Sequence, residues 1–148
     1  MELQYLIALL LLLSASVQDF RTRLVNDWFS ILLIVVALIF SSNRMYTLFF
    51  MLVVFLISYA FFQLNWWGGA DVKLITGIAG IIGWNNLFVN YLIFMFSFGL
   101  LFSLIYFFIE WKKTKKLNFR VAFPFVPSMF FAFVLLLLNG SYIFKFTY

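Results

Sequence analysis

The stretch WWGGADVKLITGIAGIIG (residues 66–83) places one carboxylate, Asp71, at the start of a run that is otherwise almost wholly apolar. An ionisable residue inside a membrane segment is costly, and it is a functional candidate by default. Aspartate is also a favoured helix N-cap. From position alone, Asp71 either caps a helix or carries chemistry. The same run has a stripe of small residues that predicts close helix packing, namely Thr76, Gly77, Gly80 and Gly83.

The composition of the whole chain indicates an integral membrane protein. It is 66% hydrophobic and 10% charged, with a mean hydropathy of +1.10, whereas a soluble domain is about 45–50% apolar and about 25% charged. We expect one polytopic membrane domain over residues 1–148. The net charge of +5 does not indicate nucleic-acid binding, because the basic residues lie in short loops. Basic residues in short loops indicate the orientation of a membrane protein and contacts with anionic membrane lipids.

Six apolar runs predict an all-α fold with about six transmembrane helices. A span needs roughly 20 helical residues, so the first run, extended to that length, includes Asp19 and the fourth includes Asp71. Both carboxylates would then lie at one face of the membrane. The segment 110–120 is the longest polar loop. The runs cover residues 3–17, 28–40, 46–64, 72–84, 87–109 and 121–138.

The basic residues predict a non-cytoplasmic N-terminus. With that orientation the first, third and fifth joins are cytoplasmic and carry eight of the ten Lys and Arg residues, against Arg44 and Lys145 on the other side. This is a clear positive-inside bias. It places Asp19 and Asp71 on the cytoplasmic side, although neither was used in the count. The eight residues are Arg21, Arg23, Lys73, Lys112, Lys113, Lys115, Lys116 and Arg120.

The chain has no cysteine and no histidine. Disulfides, thiolate metal sites and Ser–His or Cys–His catalysis are therefore excluded, and we expect no metal and no other cofactor. Acid–base chemistry would have to come chiefly from the five carboxylates, which are Glu2, Asp19, Asp27, Asp71 and Glu110.

Asp19 and Asp71 together suggest the chemistry of an aspartic protease, in which an ionised carboxylate activates water and a protonated one polarises the scissile carbonyl. Asp71 lies at a helix N-terminus and Asp19 at a helix C-terminus, which favours Asp71 as the base and Asp19 as the acid. Gly68 and Gly69 permit a tight turn that would let a substrate strand approach. Asp27 is interpreted as the cap of the second helix.

Three motifs then resemble one family. GGADVKL (residues 68–74) resembles the GxGD motif of the type IV prepilin peptidases, which include the archaeal preflagellin peptidases. DFRTRLVND (residues 19–27) resembles their other aspartate motif, and FPFVP (residues 123–127) resembles the stretch that opens their last span. Ala70 stands where bacterial members have a second glycine, and Val25 stands where proline is common.

The resemblance implies a membrane aspartyl endopeptidase with Asp19 and Asp71 as its catalytic pair. Gly68, Arg21, Asn26 and Lys73 match recurring motif positions. Such enzymes remove the short basic leader of prepilin- or preflagellin-like precursors, usually after a glycine, at the cytoplasmic face of the cell membrane. No N-methyltransferase activity is expected, since the cysteine-containing domain of the larger bacterial enzymes is missing.

A non-enzymatic membrane protein is the alternative. A small transporter would use the two aspartates as proton or cation sites, and an assembly scaffold would use them as helix caps. A transporter more often places such groups near the midplane, between internal repeats, and the sequence shows no repeat.

Overall fold

The computed structural model describes residues 3–114 and 124–143, the last four of these as backbone only. Within these ranges the chain forms helices and no strand, so the predicted all-α fold is confirmed. The helices are α1 (Leu3–Thr22), α2 (Asp27–Phe40), α3 (Arg44–Gln63), α4 (Gly69–Ile82), α5 (Asn86–Thr114) and α6 (Val126–Ile143).

Among the residues that the structure describes, three helices, α1, α3 and α5, are long and apolar enough to cross a membrane. The helices α2 and α4 have 14 residues each, which makes them about 21 Å long at 1.5 Å per residue. A typical hydrocarbon core is about 30 Å thick. The chain is therefore a helical membrane protein, and six complete spans remain a prediction.

The helices form an up-and-down bundle. α4 packs against α2 and α3, α2 also packs against α1, α1 against α6, and α6 against α5. Helix α5 runs past the start of α6, because its Gly99 meets Phe125 while the helix continues to Thr114. The C-terminal ends of α1 and α3 lie with the N-terminal ends of α2, α4 and α6. We call this the aspartate end of the bundle.

The interior helix is α4, and its glycines explain how its neighbours approach. From Val72 to Ile82 every α4 residue except Lys73 is buried. A Cβ added to Gly77 would lie 2.7 Å from the Leu33 Cβ of α2, and one on Gly80 would lie 2.6 Å from the Met51 Sδ of α3. Close packing through these two glycines is thus confirmed.

Gly83 has a different role from the rest of the small-residue stripe. Gly83 is the C-cap of α4 and has a φ of 75°. Nothing lies within 4 Å of a Cβ added there. Glycine adopts this conformation without the steric cost that other residues incur.

Several boundaries differ from those expected. α5 continues to Thr114, so residues 110–114 are helical, and residues 115–123 lie outside the described chain. α6 begins only at Val126, after Pro124 and Phe125. Pro127 fits the first turn of this helix, where no intrahelical partner is needed for its missing N–H.

The predicted cap of α2 is wrong. Asn26 is the N-cap, and its side chain accepts the Trp28 N–H at 3.1 Å. Asp27 is instead the first helical residue.

Candidate active site

Asp19 and Asp71 lie together at the aspartate end. Asp19 is on the last turn of α1 and Asp71 on the first turn of α4. Their side chains are close enough to interact electrostatically. Only 7% of Asp19 and 9% of Asp71 is exposed. Two carboxylic acids about fifty residues apart in sequence are therefore brought into one buried site, whereas the sequence predicted only that they share one face of the membrane.

Asp71 is held by the turn that precedes it. Gly68 is the N-cap of α4, and its N–H donates to the Asp71 Oδ2 at 2.9 Å. Asp71 is therefore not the N-cap itself but the third residue of the helix, where its carboxylate completes one half of a capping box. A capping role and a catalytic role are compatible here, because a carboxylate has several acceptor sites.

Gly68 is needed for this arrangement because of its proximity to the carboxylate. A Cβ added there would lie 3.1 Å from the Asp71 Oδ2. Gly69 has no such constraint, since its added Cβ would make only an ordinary contact of 3.8 Å with Phe62. Of the two glycines, Gly68 is the one that permits close approach to Asp71.

Asp19 is held by a helix that is distant in sequence. Its Oδ2 accepts the Val126 N–H at 3.1 Å, in the first turn of α6. This contact changes the electrostatic environment that the sequence predicted for Asp19. Asp19 lies on the last turn of α1, but its carboxylate faces the positive end of α6. Both aspartates thus lie at helix N-termini, which favour anions, and the helix dipoles no longer distinguish an acid from a base.

Two further polar side chains lie beside the pair, and the sequence analysis did not place either of them in the site. Arg23 interacts electrostatically with Asp19, and its guanidinium lies 5.0 Å from the centre of the Tyr106 ring. Tyr91 of α5 is fully buried and interacts electrostatically with Asp71. Its hydroxyl has no hydrogen-bond partner among the described residues. A tyrosine in an apolar helix looks like a packing residue, so only the fold reveals it.

The other predicted site residues lie around the pair rather than in it. Asn26 caps α2, as described above. The Lys73 Nζ forms a salt bridge of 2.7 Å with Asp27, which links α4 to α2. Arg21 is exposed on the last turn of α1. These positions organise the aspartate end of the bundle. Within the described chain, the acidic residues form no group of three or more that could hold a metal ion.

The fold and this site define a helical membrane protein with two buried carboxylates at one end of its bundle. A model of the type IV leader peptidase family matches residues 6–108, which is more than half of the chain. The chain belongs to this family, and membership implies aspartic peptidase activity in general. The matched range contains both aspartates and ends before the Pro-rich stretch that opens α6. Neither a curated protein nor a solved structure matches the chain.

Proposed function

We propose that this protein is a membrane aspartyl endopeptidase that removes the short basic leader from prepilin- or preflagellin-like precursors. Asp19 and Asp71 are its catalytic pair, and cleavage typically follows a glycine at the cytoplasmic face of the cell membrane. The observation that carries the proposal is the burial of these two carboxyl groups in one site, at the end of a bundle that belongs to the leader peptidase family.

The arrangement suits hydrolysis by a carboxylate pair. One aspartate, ionised, takes a proton from a water molecule as the water oxygen attacks the scissile carbonyl. The other, protonated, transfers its proton to the carbonyl oxygen. The tetrahedral intermediate then collapses, the C–N bond breaks, and a proton passes to the leaving amine. The pair shares its protons as a unit, so either residue can begin as the base.

A position at the end of the bundle suits a substrate with a leader outside the membrane. The apolar segment of such a precursor would lie in the lipid beside the bundle, and its leader would cross the aspartate end. The described part of that end also carries the basic residues Arg21 and Arg23. These cations would repel a strongly basic leader, so its path is expected to avoid Arg21 and Arg23.

A cleavage assay in membranes tests the proposal. The chain is co-expressed with a precursor that has a basic leader and a glycine before its apolar segment, and leader loss is followed by mass. We expect Asp19→Asn and Asp71→Asn each to lower cleavage by about 10²–10⁴-fold, the usual contribution of a general acid or base.

Asp27→Asn is the matched control. It makes the same change to an aspartate that is exposed and paired with Lys73, so cleavage is expected to persist. Full cleavage by either Asp19→Asn or Asp71→Asn would exclude the two-aspartate mechanism. If the inserted parent chain cleaved none of several such precursors, the proposed substrate class would be wrong.

A further inference from the structure

Two aromatic residues stand directly before the two backbone amides that hold the aspartates. Trp67 precedes Gly68, whose N–H binds Asp71. Phe125 precedes Val126, whose N–H binds Asp19. Each aromatic residue is therefore part of a turn whose backbone amide binds one carboxylate.

These two aromatic rings are in contact. The centres of the Trp67 and Phe125 rings are 5.9 Å apart, with an angle of 33° between their planes. We call this pair the aromatic bridge. It joins the turn before α4 to the turn before α6, which otherwise belong to different parts of the bundle.

Neighbouring side chains fix both rings of the aromatic bridge. Trp67 also contacts the ring of Phe61 at 5.0 Å and stacks on Phe96 of α5 at 6.0 Å. The Phe125 ring lies against the backbone of α5 at Gly99, where an added Cβ would come within 2.8 Å of the Phe125 Cε2. The aromatic bridge thus packs against α5 and α3, and neither ring can move without breaking these contacts.

We infer that Trp67 and Phe125 are positioning residues that fix the relative position of Asp19 and Asp71, because their ring contact connects the two turns whose amides bind these carboxylates. This inference rests on the proposed function, because the relative position matters only if the two carboxylates act as a pair. Catalysis by such a pair is sensitive to position, and a displacement of about 1 Å can cost about 10²-fold in rate. Neither ring needs to touch the substrate for this effect.

Kinetics of purified variants test the inference. Trp67→Leu and Phe125→Leu are each expected to lower kcat at least about tenfold, up to the 10²-fold cost of misplacement, with KM nearly unchanged. The loss in the double variant should be smaller than the product of the two single losses, because the contact between the two rings is lost only once. Trp67→Phe keeps an aromatic ring and should restore most of kcat.

Trp66→Leu is the matched control, since the neighbouring Trp66 is 70% exposed and contacts Phe61 rather than Phe125. Its kcat should equal that of the parent chain. Three results would overturn the inference: an equal loss in Trp66→Leu, losses that multiply in the double variant, or an effect confined to KM. The last would mean that the rings bind substrate.

A distance measurement tests the bridge without any cleavage. Because the chain has no cysteine, spin labels can be placed at Val17→Cys and Gly69→Cys, two exposed positions beside Asp19 and Asp71. Double electron–electron resonance measures the distance between the two labels. Its distribution should be narrow in the parent chain and in Trp66→Leu, and broad in Trp67→Leu. Equal widths in all three would refute the bridge, even if the precursor class proposed above were wrong.

Discussion

At the scale of single residues, each catalytic candidate accepts a hydrogen bond from a backbone amide of a turn. The Gly68 N–H holds Asp71 and the Val126 N–H holds Asp19. A backbone donor cannot rotate away as a side chain can, so the orientation of each carboxylate depends on the conformation of a turn. Residues that shape these two turns should therefore affect activity more than their own chemistry suggests.

Gly68→Ala tests this dependence. The new methyl group would stand 3.1 Å from the Asp71 Oδ2, so the carboxylate must shift by a few tenths of an ångström. We expect a loss of cleavage of roughly several-fold to tenfold, below the roughly 10²-fold cost of a 1 Å displacement. The measurement is the initial rate in the membrane assay, normalised to the amount of inserted protein.

Gly69→Ala serves as the comparison, because its methyl group would meet only Phe62 at an ordinary distance. It adds the same atoms one residue later and should lose far less activity. Equal losses in the two variants would mean that both glycines are required for the approach of substrate and that contact with Asp71 is not the reason.

At the scale of elements, the position of Asp71 depends on how deeply α4 is inserted between α2 and α3. The close approach at Gly77 and Gly80 sets this depth. The salt bridge between Lys73 and Asp27 adds a second link to α2, but it is weak because its side chains are 46% and 60% exposed and exposed pairs contribute little. Helix packing is therefore the main determinant.

Gly77→Ala should destabilise the bundle. Its methyl group would come within 2.7 Å of the Leu33 Cβ, and overpacking of this kind typically costs about 1–3 kcal/mol. The expected result is a lower free energy of unfolding in detergent. Ala60→Val, which adds bulk at an exposed position of α3, should leave it nearly unchanged. Unaltered stability in Gly77→Ala would show that α2 and α4 can separate at little cost.

At the scale of the whole molecule, α5 runs past the aspartate end of the bundle, and each of the other described helices has one terminus there. The orientation of this end in the membrane decides which precursors the site can reach. The basic residues predict that this end is cytoplasmic. A leader that is synthesised in the cytoplasm could then reach the site without crossing the bilayer.

Two single cysteines test this orientation. Leu24, at the aspartate end, is 74% exposed, and Met45, at the opposite end, is 78% exposed. The chain has no cysteine of its own. A membrane-impermeant thiol reagent applied to intact cells should label Met45→Cys and not Leu24→Cys, and both should react after permeabilisation. The reverse pattern would place the aspartates on the outer face.

The sequence by itself determined that the chain is a helical membrane protein, because a chain with 66% hydrophobic residues cannot expose that surface to water. It also predicted correctly that Asp19 and Asp71 share one end of the bundle. Their helices run in opposite directions, with Asp19 at the end of the first and Asp71 at the start of the fourth. The family resemblance on the two aspartate motifs agrees with the match over residues 6–108.

Only the tertiary structure decided what holds the two aspartates. The partner of Asp19 is the Val126 N–H, 107 residues away, and no local pattern specifies so distant a contact. The sequence could not predict the aromatic bridge between Trp67 and Phe125 or the burial of Tyr91 either, since aromatic residues occur throughout this chain. Periodicity and charge determine which segments are helices and which ends they share, whereas the fit of side chains between helices determines which atoms meet.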